Sequence, residues 1–175
     1  AVGARLGFAD GTPDIVAYPA SRAGWGRLCR LLTLGNRRAA KGGCHLVRSD
    51  LLADTEELLL VAMPEGCTAA VLGELAGAAP GAVWLAATMP RHGDDRRRLD
   101  RLAAMAAAAG VKLLATNDVL YDRPGQRDLQ DVLTCIRTGV KLARAGRRLE
   151  ANAERHLKPA AEMARLFRDA PAAVA

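Results

Sequence analysis

Aromatic residues make up only 3% of the 175 residues, two each of Trp, Tyr and Phe. A carbohydrate cleft or a single-strand nucleic-acid platform needs rings to stack on, so the composition argues against both. Serine is scarcer still. Ser21 and Ser49 both stand at helix starts, and no GxSxG elbow occurs, which argues against a serine nucleophile with its base. The four cysteines, at 29, 44, 67 and 135, form no CxxC pair, so neither a zinc ribbon nor a thioredoxin-type site is indicated. Phosphate loops are missing as well: GxGxxG and GxxxxGK[ST] are absent, and GNRRAAKGG follows no buried strand. No apolar run reaches membrane-spanning length and no signal peptide opens the chain. The expectation is a cytoplasmic protein with no membrane partner.

What is present is apolar bulk and arginine. Half the residues are hydrophobic, enough for one domain with a core of Leu, Ala and Val and no covalent staples. Cys29 and Cys135, inside helical runs, are expected in that core. The formal charge of +6 comes mostly from Arg and draws the chain toward polyanions, nucleic acid being the commonest. The same Arg and Ala enrichment also follows from a GC-rich coding genome. The chain opens AVGARLGFADG, with no initiator Met and already in a strand pattern, and it ends in DAPAAVA. These ends lead us to expect a slice of a longer protein.

Extended segments at 2–8 and 14–18 flank the turn signal Asp10-Gly11 and predict a hairpin. Ser21 is a predicted N-cap for a helix carrying Trp25, Leu28, Leu31 and Leu32 on one face, with Gly35 as its stop. After a basic loop, a short helix opens at Ser49-Asp50. ELLLVAM (57–63) predicts a strand covered on both faces. A helix over 68–78 follows, with Val71, Leu72 and Leu75 inward, then a strand over 82–88. The next helix, capped at Gly93-Asp94, shows a Leu99, Leu102, Met105, Ala106 stripe, and VKLLAT is the third strand. This alternation is that of parallel βαβ units. Beyond Asp118, QRDLQDVLTCIRTG predicts a helix with Leu129, Val132, Leu133 and Ile136 on one side. Pro159 begins a last helix, with Met163, Leu166 and Phe167 inward.

The candidate chemistry gathers at LLATNDVLY (113–121), where an apolar strand breaks into Thr116, Asn117 and Asp118. Ligands sit at the C-terminal ends of strands in βα folds, so Asp118 either binds a divalent cation or caps its own turn. A second ligand two residues on would share its side, but that residue is Leu120. The histidines, at 45, 92 and 156, each stand alone; His92 follows a strand end and is the one placed to approach Asp118. Arg96, Arg97 and Arg98 fan around a helix and read as a solvated face. Arg147, Arg148, Arg155, His156 and Lys158 are better candidates for a phosphate backbone.

Four ordered blocks then carry a resemblance across essentially the whole chain: YPASRAGWGRLCRLLTLGNRRAAKG, LLATNDVLY, LQDVLTCIRTG and LKPAAEMARLFRDAPAAV. Together they resemble the N-terminal PHP (polymerase and histidinol phosphatase) domain of bacterial C-family DNA polymerases, on the error-prone branch related to the polymerase III alpha subunit. The resemblance implies an α/β fold, part of a distorted (β/α)7 barrel, followed by C-terminal helices leading toward a polymerase core. Residues 1–140 would be part of the PHP domain, without its N-terminal strands, and 141–175 a connecting loop and helix toward the palm. Metal-binding members carry an early HxH pair, which would precede residue 1, and a late DxH pair. The late pair falls on Asp118 and Leu120, so the resemblance implies a metal position at Asp118 that is weakened or lost. The palm aspartates, with Mg2+, would follow residue 175. The segment would then be a non-catalytic scaffold of a polymerase acting in damage-induced mutagenesis and translesion synthesis. Its expected partners are DNA, deoxynucleoside triphosphates, a sliding clamp and accessory mutagenesis proteins. The alternative is a metal-dependent PHP phosphoesterase or 3′-5′ exonuclease.

Overall fold

The computed structural model describes residues 2–174. Ala4–Leu6 (β1) and Ile15–Pro19 (β2) form the expected antiparallel hairpin, with Leu6 opposite Ile15. In the connection, the Asp10 carboxylate accepts the Thr12 amide at 3.1 Å, and Gly11 adopts a φ of 79° that suits glycine. The other Asp10 oxygen accepts the Arg48 amide at 2.8 Å. These contacts, Arg48 foremost and then Thr12, hold the Asp10 carboxyl down at about 2 against a slight opposing effect of burial.

Ser21 caps Arg22–Arg37 (α1), its hydroxyl accepting the Ala23 and Gly24 amides. Leu28 and Leu31 are buried, whereas Trp25, expected beside them, is 45% exposed. Gly35 does not end the helix. It lies buried inside it, where an added Cβ would come within 2.5 Å of Cys44 Sγ and 2.9 Å of Leu46. Close approach, not a left-handed turn, is the reason for glycine there. Cys29, on the outer side of α1, is exposed and not in the core; Cys135 is buried as expected.

The short helix Arg48–Leu52 (α2) is steadied by Asp50, whose carboxylate accepts the Val47 amide at 3.0 Å. Leu58–Ala62 (β3) pairs antiparallel with β2 and parallel with Val83–Ala87 (β4). Between them runs Ala69–Ala78 (α3), capped by the Thr68 hydroxyl, with Val71, Leu72 and Leu75 buried. Asp95–Ala108 (α4) leads to Lys112–Ala115 (β5). The sheet is mixed and five-stranded, in the order β1-β2-β3-β4-β5. Burial alternates across it. Leu58 and Leu60 of β3 are sealed, while Leu59 between them is 38% exposed, so the predicted two-face coverage holds for only part of this strand. On the second face Val61, Met63 and Ala86 cluster with the half-buried Val16, Tyr18 and Leu114.

Arg127–Thr138 (α5) and Ala160–Leu166 (α6) complete the helices, with Gly139 closing α5 at φ 66° and Pro159 standing just before α6. By internal contacts the chain divides into two compact units, Ala1–Ala87 with Asp100–Leu114, and Thr88–Leu99 with Ala115–Ala175. The architecture is α/β, and β3-α3-β4 is a parallel βαβ unit as the apolar periodicity required.

Candidate functional site

Asp118 follows the end of β5 in the second unit, and its backbone has φ 40°, a left-handed conformation that Asp tolerates better than most residues. Its amide points at the Thr116 hydroxyl, 3.3 Å away. Its carboxylate meets Arg155: Arg155 Nη2 donates to Asp118 Oδ2 at 2.6 Å, and Arg155 Nε donates to the Asp118 carbonyl oxygen at 2.8 Å. The same guanidinium reaches Glu150 Oε1 at 2.5 Å through Nη1. One cation is therefore shared by two carboxylates and a carbonyl. All three side chains are about one quarter to one third exposed, so these are charge-assisted bonds in partly excluded solvent.

Backbone pairing explains why Arg155 is held there. The Leu120 amide donates to the Arg155 carbonyl at 2.9 Å and the Leu157 amide to the Tyr121 carbonyl at 3.0 Å, a parallel bridge between Tyr121 and His156. Asn117, buried, donates its side-chain amide to the Glu154 carbonyl at 2.7 Å and to the His156 carbonyl at 2.5 Å. The segment after β5 is thus clamped to 150–158 on both sides of Asp118. Burial raises the Tyr121 phenol above its ordinary value; the Glu150 charge adds to this and Arg127 opposes it.

A second ionic group lies in the same unit. The Lys158 side chain is fully buried, with Nζ 2.5 Å from the Glu154 carbonyl, 3.1 Å from Glu154 Oε2 and 3.4 Å from His156 Nδ1. Arg91 reaches Glu154 at 3.3 Å and Glu162 at 3.4 Å. Asn152 donates to the Pro90 carbonyl at 2.7 Å.

These contacts correct one sequence expectation. Arg155 and Lys158 are not available to a phosphate backbone, because one is committed to carboxylates and the other is buried. Arg147 and Arg148 are exposed. His92 and His45 are exposed too, and His156 hydrogen-bonds the Ala153 carbonyl at 2.8 Å. Of the helical arginines, Arg96 and Arg97 are exposed as expected, but Arg98 turns back to the Thr88 hydroxyl at 3.0 Å and its carbonyl.

The residues present do not fit a divalent cation at Asp118. Its Oδ2 already accepts from a guanidinium, Leu120 offers no donor atom, and among the described residues no three His, Cys, Asp or Glu side chains are grouped for a metal. What the arrangement can do is mechanical: it pins the chain after β5 to the loop over 150–158. Sequence reading missed Glu150, Asn117 and Glu154 as members of this network. The one signal was the alternation of Glu154, His156 and Lys158, a period of two that suits an extended segment bridging to a strand end.

Comparison with known proteins adds a strong and narrow result. No family model matches the chain. Across 99% of its length it is 57% identical, over 179 residues, to a protein named error-prone DNA polymerase from Rhodopseudomonas palustris (strain BisB5). The same identity and coverage hold for the error-prone DNA polymerase of Brucella abortus biovar 1 (strain 9-941), and 55% over 183 residues for that of Bradyrhizobium sp. (strain ORS 278). The chain spans only 16–17% of the length of these relatives. No described helix is long and apolar enough to cross a membrane.

Proposed function

We propose that this chain, a homologue of one segment of the error-prone DNA polymerases, is a non-catalytic scaffold within such an enzyme. The parent protein would extend a primer with deoxynucleoside triphosphates, on damaged DNA as well as intact, in the cytoplasm. Mg2+ bound outside these residues would supply charge stabilisation for that phosphoryl transfer. Within the parent, residues 1–140 would form part of a PHP-type barrel and 141–175 the connection toward the palm. A sliding clamp and accessory mutagenesis proteins would be its partners beyond DNA and nucleotides.

The observation that carries the reading is the identity of 57% over 99% of the chain. The geometry around Asp118 supports the scaffold role. In the PHP resemblance this carboxylate stands at a metal position; here it is a partner of Arg155, and the guanidinium supplies the positive charge. The site holds backbone to backbone, joining the segment after β5 to 150–158 through Arg155 and Asn117.

Primer extension by the purified parent protein, on an undamaged template and on one with an abasic site, tests the proposal. The expected result is incorporation on both templates, with no release of phosphate from a phosphomonoester. A parent protein that incorporates no nucleotide, or that hydrolyses the ester, contradicts it.

A further inference from the structure

Helix α5 is built inside out. Leu129, Val132, Leu133 and Ile136, spaced i, i+3, i+4, i+7, form its one apolar stripe, yet they are 58%, 45%, 50% and 72% exposed. The side that faces its own unit is small or polar. Thr134 and Cys135 are its buried residues, and Arg127 and Asp131 pair with each other at 3.7 Å on the same side. At 100° per residue the stripe lies opposite those four positions. Leu142, 56% exposed in the turn that packs on α5, extends the apolar surface past the helix end. A stripe of this width at helical spacing is what a helix presents to a core, and five neighbouring exposed aliphatics are more than a solvated surface ordinarily carries.

We propose that this face docks onto an apolar surface of the same polypeptide outside these 175 residues, and this rests on the reading of the chain as one segment of a longer polymerase. The size of the relatives favours that occupant. The match covers 16–17% of them, so most of the parent polypeptide is available to cover the stripe at high effective concentration. A separate protein or a second copy would have to find the face by diffusion, leaving it open to aggregation in the meantime. Arg127 and Asp131 pair on the side opposite the stripe, and the exposed Asp128 and Arg137 border it about 90° away on either side, so its centre carries no charge to desolvate.

The test uses the full-length protein. Ile136→p-benzoylphenylalanine is irradiated, and Ile136→Cys is labelled with a maleimide in native buffer and in urea. The expected results are a cross-link at monomer mass that maps outside the 175 residues, and native labelling at least tenfold slower than in urea. A dimer-mass band, or a cross-link within the 175 residues, overturns the proposal by assigning the face to a second copy or to this chain itself. Equal labelling in buffer and urea overturns it by showing an open face. Primer extension by the unmodified preparation is scored separately. Protection without DNA synthesis sinks the polymerase reading and leaves the docking; DNA synthesis together with unhindered labelling of the Ile136→Cys variant sinks the docking alone.

Discussion

Single contacts decide more here than composition does. Arg155 serves Asp118, Glu150 and the Asp118 carbonyl at once, so Arg155→Ala removes one cation from two partly buried carboxylates. The expected cost is roughly 1.5 kcal/mol, the low end of the range for a hydrogen bond to a charged group. In hydrogen exchange of the full-length protein, peptides over 116–122 should then exchange about tenfold faster, and Arg155→Lys should recover less than half of the loss. Unchanged exchange in the Ala variant would mean that the clamp is carried by the backbone bridge alone. Asp10 gives a pH signature. Its folded value of about 2 lies below the ordinary 3.8, so its stabilising effect is complete above pH 4 and is lost as pH falls from 4 toward 2. The stability gap between wild type and Asp10→Asn should therefore narrow across that interval. A gap that stays constant from pH 5 to 2 would remove Asp10 from the account.

At the scale of elements, two glycines of α1 behave oppositely. Gly26→Ala meets nothing closer than 3.5 Å, the tip of Arg30, and should stabilise by about 0.5–1 kcal/mol through helix propensity. Gly35→Ala places a methyl against Cys44 Sγ and Leu46 and should destabilise despite the same propensity gain. Urea denaturation of both variants checks the pair; a stabilised Gly35→Ala would show that Cys44 and Leu46 yield easily. Gly35 also shows where sequence reading stops. The β3-α3-β4 unit was legible because its signals are local: a continuous apolar run, the Thr68 cap and a 3.6-residue stripe. The role of Gly35 depends on residues nine and more positions away folding back onto the helix, and no periodicity records that. Trp25 and Cys29 were misplaced for a related reason. An apolar residue at the margin of a helical stripe can fall on either side of the buried boundary. Asp118 was legible as a carboxylate at a strand end, but its partner lies 37 residues along the chain, in a segment whose pattern suggested exposed charge.

For the whole molecule, the two units carry different kinds of information. The first is a sheet with sealed leucines on one face and a half-open cluster on the other, and its sequence announces that design. The second is held by side-chain-to-backbone bonds among 88–99 and 115–175, and it bears the apolar face of α5. Among the described residues no three His, Cys, Asp or Glu side chains are grouped for a metal. The scaffold role proposed for the chain rests on its high identity to one segment of much longer polymerases and on the clamp between Asp118 and Arg155. Central to the proposed scaffold role is that Arg155, in place of an ion, faces the Asp118 carboxylate. Zinc and manganese content of the full-length protein, wild type against Asp118→Ala after exhaustive dialysis, tests it most directly. The expected result is the same metal content in both; about one equivalent of either metal in the wild type that disappears in the variant would contradict the proposal.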